Sequence, residues 1–165
     1  DFFKRTINLE DHINKQDIIY VGGGNTKSML AVWREWNLNY ILEKAYKKGI
    51  IMSGVSAGAI CWFDKGITDS FKDNQSVLSC LGFVDGVCCP HYDEEPERIP
   101  FVKAILESSD ISECIAIEGY CALHLIDDLP RYSISFGKNN DTHLVTYNDK
   151  QIEHKKIDGV KKIIL

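Results

Sequence analysis

Short apolar runs alternate with segments of helical periodicity along the first two-thirds of the chain. Residues 17–21 form a β-branched run that stops at glycines 22–24, and apolar side chains then recur at helical spacing from Met29 to Trp36. A second helical period leads to another apolar run at residues 49–54. This order predicts two parallel strands joined by a helical crossover.

The rest of the chain continues the alternation and ends in shorter runs. Helical character is found at residues 57–63 and 95–108. Three further apolar runs are typical of strands: residues 84–89, 114–117 and 122–126. After Arg131, short alternating runs predict a β-hairpin tail. Strands that alternate with helices indicate an α/β fold with a mostly parallel sheet.

Length and charge restrict the classes of function. With 165 residues the chain has the size of one domain, and at that length it can bury a core without disulfides or metals. Its 19 Lys and Arg against 24 Asp and Glu give a net charge of −5. Binding to nucleic acid or to an anionic membrane usually requires a basic surface. We therefore expect neither as a partner.

Two features favour a cytoplasmic protein. No apolar run approaches the roughly 18 residues of a membrane span, and the first residues lack the pattern of a signal peptide. The cysteines lie mostly in apolar segments without the spacing of metal ligands, so they are predicted to be reduced and buried. They are Cys61, Cys80, Cys88, Cys89, Cys114 and Cys121. We expect no metal or other cofactor.

Residues 54–58 form a G-x-S-x-G motif between a predicted strand and a predicted helix. The small neighbours of Ser56 permit a sharp turn that would leave its hydroxyl at the carboxyl end of the strand. The same sequence also fits a helix that is capped by Ser56. Because a strand precedes the motif and glycines stand on both sides, we interpret Ser56 as a nucleophile.

A nucleophilic serine needs a base, and His91 has the best position among the five histidines. It follows the strand at residues 84–89, and catalytic groups gather at the carboxyl ends of parallel strands. We expect three of the others, His12, His143 and His154, to be solvated. We expect His124 to be part of the core. Glu118 and Asp69 are both candidates for the acid that orients the ring.

The three consecutive glycines at 22–24 lack the ending of a phosphate loop and the spacing of a dinucleotide site. They form either a simple strand-to-helix turn or a place where a bare N–H approaches a reacting oxygen. Acyl transfer needs two such donors, and Gly24 with Ala57 would provide them.

Together these motifs resemble the peptidase E (alpha-aspartyl dipeptidase) family of serine peptidases, to which cyanophycinases are related. The resemblance is carried by residues 20–26, 54–59, 90–92 and 117–119. It implies a flavodoxin-like, three-layer fold related to class I glutamine amidotransferases. It also implies hydrolysis of dipeptides that begin with aspartate.

The resemblance assigns roles in catalysis. Ser56 would be the nucleophile and His91 its base, while Glu118 would complete a Ser-His-Glu triad, with Asp69 as the alternative acid. Gly24 and Ala57 would bind the oxyanion.

Two more residues would contact the substrate by the same resemblance. They are Asn25 and Arg98, the latter through a bidentate pair with the substrate β-carboxylate. From the sequence alone, an Arg98 that is solvated or paired with Glu94, Glu95 or Glu97 fits equally well.

The predicted function is that of a serine-type exopeptidase, dipeptidase-like, acting on short peptides through an acyl-enzyme. An esterase or amidase on the same scaffold, or a non-catalytic homologue that binds a small molecule, remain alternatives.

The family normally has a further strand and helix before the segment that begins here, so we expect residues 1–165 to be one domain that lacks them. Residues 92–98 depart from the aspartyl-dipeptidase pattern, which leaves the preferred side chain open. The oligomeric state is also open, with a homodimer as one arrangement.

Overall fold

A computed structural model describes residues 8–71, 74–108, 111–136, 140–157 and 161–162. The helices in these ranges are α1 (Leu9–Ile13), α2 (Thr26–Glu35), α3 (Leu38–Lys47), α4 (Ala57–Ile60) and α5 (Arg98–Glu107). The strands there are β1 (Ile18–Val21), β2 (Ile51–Gly54), β3 (Phe63–Phe71), β4 (Asn74–Ser79), β5 (Val84–Cys89), β6 (Glu113–Ile117), β7 (Cys121–Ile126), β8 (Leu129–Ser135), β9 (Thr142–Asn148), β10 (Gln151–Lys156) and β11 (Lys161–Lys162).

The described strands form three sheets, and the largest one is mixed. Strands β1 and β2 pair in parallel, as the sequence pattern predicts. The largest sheet has the order β10-β9-β6-β5-β3-β4. In it β3, β5 and β6 run parallel, whereas β4, β9 and β10 pair antiparallel with their neighbours. The α/β class is confirmed, but the sheet is mixed rather than mostly parallel.

Tight hairpins account for much of the antiparallel pairing. Asp127 and Asp128 connect β7 to β8, and Asp149 and Lys150 connect β9 to β10. All four have positive φ, between 47° and 64°. Two consecutive residues of this kind make the turn that suits the twist of a β-hairpin, and two-residue loops join only antiparallel strands.

Apolar packing fixes the helices against the sheets. On the largest sheet, Val102 and Leu106 of α5 pack against Cys89, Cys114 and Val145. A second cluster holds α2 and α3 on the β1–β2 pair, and Trp62 belongs to it. Trp62 and Phe63 are both buried, so they pack in the core rather than at a surface.

All six cysteines are free thiols, and four of them are buried. Burial raises the pKa of Cys80 to about 11 and that of Cys89 to about 12. At neutral pH these thiols are therefore protonated and behave as small apolar side chains.

Within the described ranges, no helix has both the length and the apolar character needed to cross a membrane.

Candidate active site

Ser56 lies in the turn between β2 and α4 and has an unusual backbone conformation. Its φ is 56° and its ψ is −118°, a combination that costs a residue with a side chain about 1–3 kcal/mol. Ser56 stands at the N-cap position of α4, but its hydroxyl makes no capping hydrogen bond there. The turn directs the hydroxyl toward His91 instead.

The glycines of the motif permit this turn because no side chain fits at either position. A Cβ on Gly54 would overlap backbone atoms of Gly58 and the carbonyl oxygen of Val21. A Cβ on Gly58 would overlap the carbonyl groups of Val21 and Gly22. The turn thus packs directly against the end of β1, and the Val55 amide donates to the Val21 oxygen at 3.1 Å.

His91 bridges Ser56 and a carboxylate. Its Nε2 lies 2.9 Å from Ser56 Oγ, and its Nδ1 lies 2.8 Å from Glu94 Oε2. If Nδ1–H donates to Glu94, Nε2 has a lone pair that accepts the Ser56 proton. His91 directly follows Pro90 at the end of β5 with φ 54°, and the Glu94 amide donates to the His91 carbonyl at 3.1 Å. One short turn therefore carries both His91 and the carboxylate that it contacts.

Glu118 does not contact this histidine. It follows β6, as the sequence predicts, but its Oε1 lies 3.1 Å from His143 Nε2 and its Oε2 accepts from the Asp141 amide at 2.8 Å. Asp69 is exposed on β3 and does not line the cleft beside Ser56. Among these three carboxylates, Glu94 is therefore the one that is hydrogen-bonded to His91 in this structure.

Two histidines that were expected to be solvated form a network behind Glu118. His143 is buried and lies edge-on to His154, with 5.7 Å between ring centroids. Nε2 of His154 lies 2.8 Å from the Tyr92 hydroxyl. Partial burial of His154, followed by the nearby His143, lowers its pKa below 6.5. His124, in turn, is exposed on β7 rather than in the core, and its ring lies near that of Tyr132.

Neither residue predicted to contact the substrate faces the cleft. Arg98 is only 2% exposed and donates from Nε to Glu95 at 2.8 Å and from Nη1 to the Ile67 carbonyl at 2.7 Å. Burial alone would raise the pKa of Glu95, but the hydrogen bond and charge of Arg98 lower it below its ordinary value. Asn25 caps α2 through the Ser28 amide and donates to the Ser70 carbonyl. Both side chains thus have hydrogen-bond partners within the protein.

The glycine loop lies beside Ser56. A Cβ built on Gly23 would be 3.4 Å from Ser56 Cβ and 3.9 Å from Ser56 Oγ, whereas nothing lies within 4 Å of one built on Gly24. Gly23 is thus the glycine that contacts Ser56, and Ala57 follows Ser56 directly.

A cleft of about 920 Å3 opens beside Ser56 and His91. Much of its wall is apolar, as shown by Met52, Trp62, Phe63, Leu123 and Leu125. Its carboxylates are Glu94, Glu118, Asp127 and Asp128, and no Lys or Arg is found among the described residues that line it. Cys121 also lines the cleft, and burial raises its pKa to about 11, so it is a poor nucleophile beside Ser56.

Metal-ligating side chains do not gather anywhere in the described part of the chain: no group of three or more His, Cys, Asp or Glu residues is arranged to hold an ion.

Comparison with known proteins defines the family. A model of peptidase family S51 matches residues 3–131. Over 120 residues the chain is 44% identical to the uncharacterized peptidase YgaJ of Bacillus subtilis (strain 168), an alignment that covers 73% of this chain and 52% of that protein. The chain therefore belongs to peptidase family S51, which confirms the resemblance to peptidase E. It spans about half the length of this curated relative.

A solved structure supports the fold. The crystal structure of a candidate peptidase E protein from Listeria monocytogenes EGD-e aligns with a TM-score of 0.50 at 18% identity. The alignment covers 90% of this chain and 64% of the other. At this identity the match is evidence for the shared architecture alone.

Proposed function

We propose that this chain carries the catalytic site of a serine peptidase, with Ser56 as the nucleophile, His91 as the base and Glu94 as the acid. The observation that carries the proposal is the continuous hydrogen-bonded path from Ser56 Oγ through the imidazole to Glu94. A strained serine at a strand-to-helix turn supports it independently. Membership of family S51 supports the same class of reaction.

Acylation would begin at the hydroxyl. His91 Nε2 takes the proton of Ser56 as Oγ attacks the scissile carbonyl carbon, and the carbonyl π electrons move onto its oxygen. When the tetrahedral intermediate collapses, the C–N bond breaks and Nε2–H gives its proton to the leaving amine. Glu94 keeps the ring in the required tautomer and stabilises the imidazolium that forms in between.

Deacylation would repeat these steps with water. His91 removes a proton from water, the hydroxide adds to the ester carbonyl, and the proton returns to Ser56 Oγ as the acid product leaves. In both halves an oxyanion develops at the substrate carbonyl. The amide of Ala57 and an amide of the glycine loop, Gly24 by the family resemblance, are the donors that we assign to it.

The cleft favours short peptides with an apolar side chain over those with aspartate. An acidic side chain needs a cation in the site, but Arg98 is buried against Glu95 and Ile67. The described lining offers carboxylates and apolar surface instead. A volume of about 920 Å3 suits a small peptide, which agrees with a dipeptidase-like exopeptidase.

Turnover assays on the full-length protein and on Ser56→Ala test this function. We expect dipeptides with leucine or phenylalanine to be cleaved faster than those with aspartate, and we expect Ser56→Ala to lose cleavage by at least a thousandfold. Turnover of short acyl esters without any peptide cleavage would indicate the esterase. Equal binding of dipeptide by both proteins, with no turnover by either, would indicate a non-catalytic binding protein.

A further inference from the structure

We infer that Gly119 is a positioning residue that leaves room for the Glu94 carboxylate to reach His91. This inference rests on the proposed function. It concerns the glycine that follows Glu118, which makes none of the hydrogen bonds between Ser56, His91 and Glu94.

The evidence is a close approach between Gly119 and the Glu94 side chain. A Cβ placed on Gly119 would lie 2.5 Å from Glu94 Cδ, 2.5 Å from Oε1 and 2.9 Å from Cγ. Real Cβ atoms essentially never approach heavy atoms below 3.0 Å. The same carboxyl group holds Nδ1 of His91 through its other oxygen. Any side chain at position 119 would therefore enter the space that this carboxylate occupies.

Backbone conformation does not require glycine at this position. The φ of Gly119 lies outside the left-handed range that favours glycine. Its amide donates to Asp93 Oδ1 at 2.7 Å, and an alanine would keep that bond. The three atoms nearest to a Cβ at this position all belong to Glu94, so the missing side chain matters first for the space beside that carboxylate.

The Glu94 side chain, rather than the backbone, is the part that would yield to a methyl group. That side chain is 43% exposed and can swing into solvent. The backbone is tied instead, because the Tyr92 amide donates to the Ile117 carbonyl and the Gly119 amide donates to the Asp93 carboxylate. Gly119→Ala should thus leave the fold intact while it separates Glu94 from His91. The ring would lose the acceptor that fixes its tautomer.

Two-bond 1H–15N correlation spectra of the His91 ring test this directly, because they report which nitrogen carries the proton. The spectra are recorded on the full-length protein, with the signals assigned by their loss in His91→Gln. We expect the Nδ1–H tautomer in the parent and a shift toward Nε2–H in both Glu94→Ala and Gly119→Ala, with an unchanged Tm for the latter. A parent-like tautomer in Gly119→Ala, or no Nδ1–H tautomer in the parent, would overturn the inference.

A double-mutant cycle in turnover gives a second readout. Gly119→Ala alone should lower kcat at least tenfold and leave KM within twofold. When Glu94→Ala is already present, adding Gly119→Ala should lower kcat by less than twofold, because the Glu94 atoms that the new methyl group would overlap are then gone. If Glu94→Ala lowers kcat and Gly119→Ala does not, the inference fails and the proposed function stands. If neither Ser56→Ala nor Glu94→Ala affects turnover, the proposed function fails, and the ring tautomer still decides the role of Gly119.

Discussion

Replacing Glu94 by Gln tests the assignment of the acid most sharply. The amide is nearly isosteric, but it removes the negative charge that faces the imidazolium in the transition state. It can also present an NH2 group to Nδ1, which would favour the wrong tautomer. Glu118→Gln is the matched variant, because Glu118 is the carboxylate that the sequence favours and it lines the same cleft.

The expected loss follows from the geometry of the pair. With 2.8 Å between Nδ1 and Oε2, Coulomb's law gives about 6 kcal/mol at an effective dielectric constant of about 20 and about 1.5 kcal/mol at about 80. His91 and Glu94 side chains are 31% and 43% exposed, so solvent screening places the effect between these limits. About 3 kcal/mol in the transition state corresponds to roughly a hundredfold in kcat.

Steady-state kinetics with a dipeptide substrate measure both variants. We expect Glu94→Gln to lose about a hundredfold in kcat with little change in KM, and Glu118→Gln to lose less than threefold in kcat. A loss below threefold for Glu94→Gln would refute the reasoning. A large loss confined to Glu118→Gln would restore the acid that the sequence predicts.

Three further predictions concern stability. In Gly58→Ala the new Cβ would overlap backbone carbonyl groups, so the free energy of unfolding measured in urea should fall by about 3 kcal/mol or more. A Cβ on Gly22 has nothing within 4 Å, so Gly22→Ala should have almost no effect. Equal losses in the two variants would contradict the packing account. The lowered pKa of His154 means that the unfolded chain binds more protons below about pH 6.5, so stability should fall as the pH drops from 7 to 5. In thermal melts, His154→Gln should reduce the dependence of Tm on pH, whereas His12→Gln, on an exposed helix, should not. The same change of Tm with pH in the parent and in both variants would contradict this prediction. Arg98→Met should lower Tm because it leaves Glu95 without its ion-pair partner. The ratio of kcat/KM for aspartyl dipeptides to that for leucyl dipeptides should stay as in the parent. A changed ratio would show that Arg98 selects the substrate.

The sequence predicts that Ser56 and His91 come together because local patterns determine both positions. A strand, two glycines and a short helix specify the turn at Ser56, and β5 ends just before the turn that carries His91. Glu94 could not be found in this way. It reaches His91 because the chain turns back at a residue with positive φ, and three charged residues compete within residues 93–95.

The role of Glu118 depends on contacts between distant segments. Strand β9 pairs antiparallel with β6 and places His143 opposite Ala116, which brings the imidazole to the carboxylate. In the sequence His143 lies in a short alternating run that is typical of a solvated hairpin. Register between strands that are far apart in the chain is set by tertiary packing, and local periodicity does not predict it.

Intact-protein and peptide mass spectrometry after reaction with a fluorophosphonate tests the central claim, that a hydrogen-bonded imidazole activates Ser56. The account predicts one phosphonyl group per chain, located on Ser56, and almost no labelling of His91→Gln. An unlabelled parent, or an adduct on another residue, would contradict it.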